Sequence, residues 1–220
     1  MILFLSPIHA ARFDMHKYTN MKKIIFCILI IHVLSVGYLK AENFEGFIIT
    51  KNNDTLKATF DIPVLLFTKK IQFERIQSSI KVFDKNNESR KLNPKLVKEI
   101  VFTYQNKKVR MISKHTKIEE DSVYIFYRLL IDGKLKLYKY YYYVASPGMN
   151  GMVGFGGVAS DFILEKEGGK LFSPRSLSFR KDMNEYITDC DELMKKINDR
   201  VYGRDALEKI VTEYNNKCGK

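Results

Sequence analysis

The sequence predicts an α+β domain: a mostly antiparallel, hairpin-rich sheet of about eight or nine strands followed by two or three short helices. Three observations carry this. From Phe44 to Phe172 apolar residues recur mainly with period two, the pattern of half-buried strands. Clusters of Asn, Asp, Gly and Lys interrupt that stretch at short intervals, where turns belong. Beyond Pro174 the apolar spacing lengthens to that of amphipathic helices.

The elements follow in order. Gly46 to Thr50 and Thr55 to Phe60 flank the polar turn Lys51–Asp54 and predict a hairpin, with Pro63 ending its second strand. Lys70 to Glu74 and Ile80 to Phe83 read as further strands, the latter closed by turn residues from Asp84 to Asn87. Asn93-Pro94 breaks the pattern, with a short turn expected over Lys95 to Lys98. Ile100 to Tyr104 and Val109 to Ile112 form a second hairpin around Gln105–Lys108. Val123 to Ile131 and Leu135 to Val144 form a third around Asp132-Gly133, a strong turn signal. Phe162 to Glu165 is the last strand, ended by Gly168-Gly169.

The helical part begins with Phe179, Met183, Tyr186 and Ile187 on one face. Asp189 with Glu192 resembles a capping box, placing a helix start there, with Leu193, Met194 and Ile197 buried. Beyond Gly203, Leu207, Ile210, Val211 and Tyr214 define a last helix, which is expected to pack with the others on one face or one end of the sheet.

The N-terminal region predicts export. Met21 is followed by Lys22 and Lys23 and then by 13 residues, 24–36, reading IIFCILIIHVLSV. A short cationic segment, an apolar core of this length and a small-residue exit describe a secretory signal peptide. A spanning helix needs about 20 apolar residues, so an uncleaved anchor is the weaker reading. Cleavage after Gly37 or Ala41 is compatible with the sequence, and Ala41 is preferred because Glu42 and Asn43 open the polar part. Residues 1–20 read as a spurious upstream extension, 21–41 as the signal peptide, and 42–220 as one exported domain, β-rich over 44–173 and helical over 177–218. The expected location is the periplasm or the periplasmic face of the outer membrane, with secretion beyond it as the alternative.

The whole chain carries 37 basic and 25 acidic side chains. Setting aside residues 1–41, which hold five basic and one acidic, leaves 32 against 24, a net charge of +8. These lysines are scattered through most segments, which reads as the solvated face of half-buried sheets. An anionic membrane surface or an envelope glycan is a more natural partner for such a chain than nucleic acid.

Two cysteines, Cys190 and Cys218, remain beyond the signal. An even count in an oxidising compartment predicts one disulfide, with two buried thiols as the alternative. Closing a loop of just under 30 residues contributes roughly 3–4 kcal/mol in the chain-entropy model.

Catalytic chemistry finds little support. His115, in the polar segment Ser113–Thr116, is the only histidine after residue 41 and reads as a loop residue. A zinc site with two or three histidines is therefore excluded from that part, the two cysteines lack paired-ligand spacing, and no metal or cofactor is expected. Glu119, Glu120 and Asp121 read as a solvated turn. Gly154, Gly156 and Ala159 match a dinucleotide fingerprint only superficially, because a strand rather than a helix follows at Phe162.

Two segments are candidate binding surfaces. The stretch Pro147–Gly157 is unusually apolar for a loop, and Met149, Met152 and Phe155 could either fold over the core or form a contact surface. In the strand from Leu135, alternation puts Tyr138, Tyr140 and Tyr142 on one face and Tyr141 and Tyr143 on the other, with Leu135 and Leu137. Such tyrosines commonly pack beneath a helix with wet hydroxyls; the alternative is an exposed aromatic ladder.

The opening Gly46-Phe47-Ile48-Ile49-Thr50, then Asn53-Asp54-Thr55-Leu56, resembles a group of exported proteins of Bacteroidota-type bacteria. These share a glycine–aromatic–isoleucine–threonine…Asp-Thr hairpin after a signal peptide. They often end in a helix with Tyr-Asn and a late cysteine, matched here by Tyr214-Asn215 and Cys218. The resemblance touches both ends of the domain, about a quarter of it, and implies architecture rather than activity. The expectation that follows is a non-catalytic envelope module that binds a protein or glycan. A carboxylate enzyme acting on envelope glycans and a peripheral binder of anionic membranes are the rivals.

Overall fold

The computed structural model describes residues 39–84, 87–118, 121–145 and 156–219. Nine strands form one sheet: β1 (Leu39–Thr50), β2 (Thr55–Leu65), β3 (Ile80–Phe83), β4 (Ser89–Leu92), β5 (Val97–Tyr104), β6 (Lys107–Ile118), β7 (Asp121–Ile131), β8 (Leu135–Val144) and β9 (Gly157–Lys166). Their order is β4-β3-β2-β1-β5-β6-β7-β8-β9, and neighbours run antiparallel. Among the described residues the α-helices are α1 (Phe73–Ile76), α2 (Phe179–Tyr186), α3 (Asp191–Asn198) and α4 (Leu207–Lys217). The α+β class and the C-terminal helical cluster are as the sequence predicts. No helix among the described residues is long and apolar enough to cross a membrane.

Local chemistry sets the hairpins. Asn53 takes φ 68° in the β1–β2 turn, and Gln105 and Asn106 take φ 48° and 59° between β5 and β6. Two successive left-handed residues make the turn whose twist matches the flanking strands. Gly46 is required by a close approach: a Cβ there would collide with the carbonyl oxygen of Val101 across the β1–β5 pair. The first glycine of the N-terminal motif thus has a packing role.

One face of the sheet carries the two larger hydrophobic clusters, and the other face a smaller one of Ile125, Tyr127, Tyr138 and Ile163. Phe60, Ile62, Val64, Ile80, Val82, Ile100, Phe102, Met111 and Phe126 pack with Phe73 and Ile76 of α1. Farther along the same face, Leu135, Leu137 and Leu164 pack beneath Phe179, Met183, Leu193, Ile197, Leu207, Ile210 and Val211 of α2–α4. Fully burying one such side chain contributes about 1.5–3 kcal/mol. The disulfide joins Cys190 to Cys218, with Cα atoms 5.7 Å apart, and ties the end of α4 to the start of α3.

Four local expectations are corrected. Pro63 does not end its strand: β2 runs on to Leu65, and its pairing with β3 stops at Asp61, so the missing N–H interrupts no ladder there. Lys70–Glu74 is not a strand; only Ile71 bridges to β2, and the chain then turns into α1, which buries both Phe73 and Ile76 on one side. His115 is not in a loop but in β6, opposite Tyr124 of β7, because that hairpin extends to Ile118 and Asp121. The expected capping box is absent: α3 starts at Asp191 after Cys190, without a side-chain cap. The Asp189 carboxylate instead accepts from Lys166 and from Tyr214, both at 2.7 Å.

Two side-chain amides grip strand β8. The Gln77 amide accepts from the backbone N–H of Tyr141 at 2.8 Å and donates to its carbonyl at 2.9 Å. The Gln77 backbone carbonyl also accepts from Phe126 N–H at 2.9 Å. Extending the register Arg128↔Lys139 by two residues would pair Phe126 directly with Tyr141, but Gln77 sits between them and serves both strands. Asn215 of α4 does the same at the other end of β8, accepting from Leu135 N–H at 2.9 Å and donating to its carbonyl at 2.8 Å.

Candidate functional site

The face of β7–β9 opposite the helices carries the tyrosines. Alternation along β8 puts Tyr138, Tyr140 and Tyr142 there, across from Ile163, Asp161 and Ala159 of β9. They do not pack beneath a helix, contrary to the common arrangement, because Leu135 and Leu137 of the opposite parity take the helix-covered side.

The three tyrosines have different environments. Tyr138 is fully buried among Ile125, Tyr127 and Ile163. Its hydroxyl donates to Glu165 at 2.6 Å, and Lys114 donates to both Glu165 oxygens at 2.7 Å. Burial, with the neighbouring carboxylate, raises the Tyr138 phenol far above its ordinary pKa. Tyr138 is thus an anchor of the sheet, out of reach of any ligand. Tyr140 and Tyr142 are half-buried, their rings stacked at 5.8 Å, and Tyr140 lies 5.7 Å from the Tyr127 ring.

Polar groups edge these rings. The negative charge of Asp161 is the main cause that raises the Tyr142 phenol. Arg204 donates to Asp161 and to Ser176, each at 2.8 Å. Beside Tyr140 and Tyr127 a shallow groove of about 320 Å³ is lined by Thr116, Ile163, Leu171 and Ser173. The arrangement offers flat aromatic surface beside a carboxylate, a guanidinium and hydroxyls, which suits binding by stacking and hydrogen bonding. Met149, Met152 and Phe155 lie outside the described residues.

No family model, curated protein or solved structure matches this chain.

Other groupings offer less. Ser122 Oγ lies 2.6 Å from His115 Nε2, but both are exposed and no carboxylate among the described residues orients the other ring nitrogen. Among the described residues, no group of three or more His, Cys, Asp or Glu could hold a metal ion. A larger groove of about 780 Å³ crosses β1, β2 and β5, where Glu45, Lys57 and Lys108 mix signs around Phe47 and Val101. Among the described residues it has no stacked aromatic pair.

The sequence reading missed a cationic pair on the helix-covered face. There Arg128 and Lys139 stand directly opposite each other on β7 and β8, beside a stacked Phe73–Tyr141 pair 5.0 Å apart. A two-residue turn at Asp132-Gly133 would have set Arg128 against Leu137. The connection spans residues 132–134 instead, and the irregularity between Leu129 and Ile131 shifts the register. The hairpin was readable; the offset that creates the cationic pair was not.

Proposed function

We propose that this chain is an exported, non-catalytic binding module of the cell envelope, and that it holds a glycan against the tyrosine face. The observation that carries the reading is the half-buried Tyr140–Tyr142 stack on a sheet face the helices leave uncovered. Carbohydrate suits this surface better than a protein partner. Stacked rings edged by Asp161, Arg204, Thr116 and Ser173 supply both C–H stacking and hydroxyl recognition over a small area. Protein interfaces instead bury about 800 Å² per partner around an apolar centre. The Cys190–Cys218 disulfide supports export, since structural disulfides belong to oxidising compartments.

The test is retention of the full chain in gels cast with solubilised envelope polysaccharide. The wild-type chain is retarded, and Tyr142→Ala or Tyr140→Ala weakens retention by about tenfold or more with the fold intact. Equal retention of both variants would count against the tyrosine face. Release of shortened saccharide would transfer the reading to an enzyme. Retention only by anionic vesicles, abolished by salt, would transfer it to a membrane binder.

A further inference from the structure

We propose that the cleft between α1 and the β7–β9 strands is a binding site for a small oxyanion, a carboxylate or phosphate carried on a flat ring. Its cations, Arg128 and Lys139, and its rings, Phe73 and Tyr141, lie on the side of the sheet opposite the tyrosine face. The cleft has a volume of about 430 Å³, within the range of small-molecule sites. Arg128 and Lys139 form its floor as directly opposed cross-strand residues. Like charges in that position repel and destabilise a sheet unless something neutralises them.

No carboxylate among the described residues forms an ion pair with either cation. Arg128 donates there only to the neutral Tyr141 hydroxyl, at 3.0 Å, and lies over the Phe73 ring at 4.6 Å. Lys139 has no carboxylate partner among the described residues and sits 5.7 Å from the Tyr141 ring centre and 5.4 Å from that of Phe162. Three other cations of this sheet do have carboxylate partners: Arg110 pairs with Glu99 and Asp132, Lys114 with Glu165, and Lys81 with Asp61. Lys70 adds a third positive charge at the rim, against the single carboxylate of Glu74. The guanidinium is a planar fork suited to an oxyanion, and the ammonium adds a point charge beside it. Tyr141, half-buried and stacked within 15° on the buried Phe73 ring, gives apolar surface for a ligand's ring.

The test is an NMR titration of the full chain with benzoate, phenyl phosphate and the neutral control benzyl alcohol. One or both acids saturate and shift the amides of Phe73, Tyr141 and Ser160, and benzyl alcohol binds about tenfold more weakly or not at all. Which acid binds more tightly distinguishes carboxylate from phosphate as the natural group. Arg128→Gln and Lys139→Gln each weaken binding about tenfold. Lys139→Gln decides the matter if Arg128→Gln fails to fold, since the Lys139 side chain makes no hydrogen bond among the described residues. Tyr142→Ala leaves the titration unchanged, which separates this site from the glycan reading. The proposal is overturned if neither acid shifts these amides at about 10 mM. It is also overturned if benzyl alcohol matches the acids, or if folded Lys139→Gln binds as the wild type does.

Discussion

Replacing Gln77 by alanine should open the sheet between β7 and β8. Gln77 is 4% exposed, and its amide makes both hydrogen bonds of Tyr141 that the splayed β7 strand no longer supplies. Alanine leaves a buried backbone N–H and C=O without partners, each costing about 1–3 kcal/mol. Water entering the vacated volume recovers part of this, so the expected loss is roughly 2–4 kcal/mol. At about 2–4 °C per kcal/mol for a chain of this size, the melting temperature falls by roughly 5–15 °C. Urea denaturation should show a lower midpoint at unchanged slope, and hydrogen exchange should show the Tyr141 amide losing protection. Gln77→Glu adds a control with a defined sign. Its carboxyl can accept from Tyr141 N–H but must be protonated to donate to the carbonyl, so the folded state holds that proton more tightly than the unfolded chain. The deficit relative to wild type is therefore smallest at acid pH. It grows as pH rises from the unfolded pKa near 4 to the higher folded value. A Gln77→Ala protein within about 0.5 kcal/mol of wild type would refute the amide as a structural bridge.

Other outcomes follow from the same geometry. Asn215→Ala should cost about 1–3 kcal/mol by orphaning the Leu135 backbone. Gly133→Ala should destabilise too, because Gly133 has φ 151° and its Cβ would strike the Asn215 side chain; thermal melts check both. Reducing the Cys190–Cys218 bond should lower stability by up to roughly 3–4 kcal/mol, read as a denaturant midpoint shift with and without reductant. Acid should unfold the protein through Asp182 and Glu213. Arg175 holds Asp182 at about 2, and Lys196 with Lys217 holds Glu213 at about 2. With folded values below the unfolded ones, their stabilisation is present above about pH 4 and lost as pH falls toward 2. Asp182→Asn should flatten that limb of the pH–stability curve.

Much of this architecture was legible because it is written in short-range pattern. Period-two runs and Asn, Asp and Gly turns specify the hairpins, and Phe179, Leu193 and Leu207 with their neighbours at helical spacing specify the cluster that covers Leu135 and Leu137. What sequence concealed depends on long-range geometry. The segment at Lys70 reads as a strand until Phe73 and Ile76 must share one core. Gln77 looks like an ordinary polar residue, yet it completes a strand pair 64 residues away. Tyr214 and Asn215 read only as the end of a helix, yet both side chains have a physical purpose. Tyr214 donates to Asp189, and Asn215 grips Leu135. For the candidate sites, alternation correctly set Tyr138, Tyr140 and Tyr142 on one face. It could not show that Tyr138 is buried against Glu165 while the other two reach the surface. The opposed Arg128 and Lys139 were hidden by the same register shift.

The central claim, that the tyrosine face binds glycan, is tested most directly by titrating the full chain with solubilised envelope polysaccharide while following intrinsic fluorescence. The chain has 13 tyrosines and no tryptophan, so ligand stacked on Tyr140 and Tyr142 is read without a competing indole signal. The account predicts a saturable change that Tyr142→Ala weakens by about tenfold or more. A titration with no saturation, or one that Tyr140→Ala and Tyr142→Ala leave untouched, would contradict it.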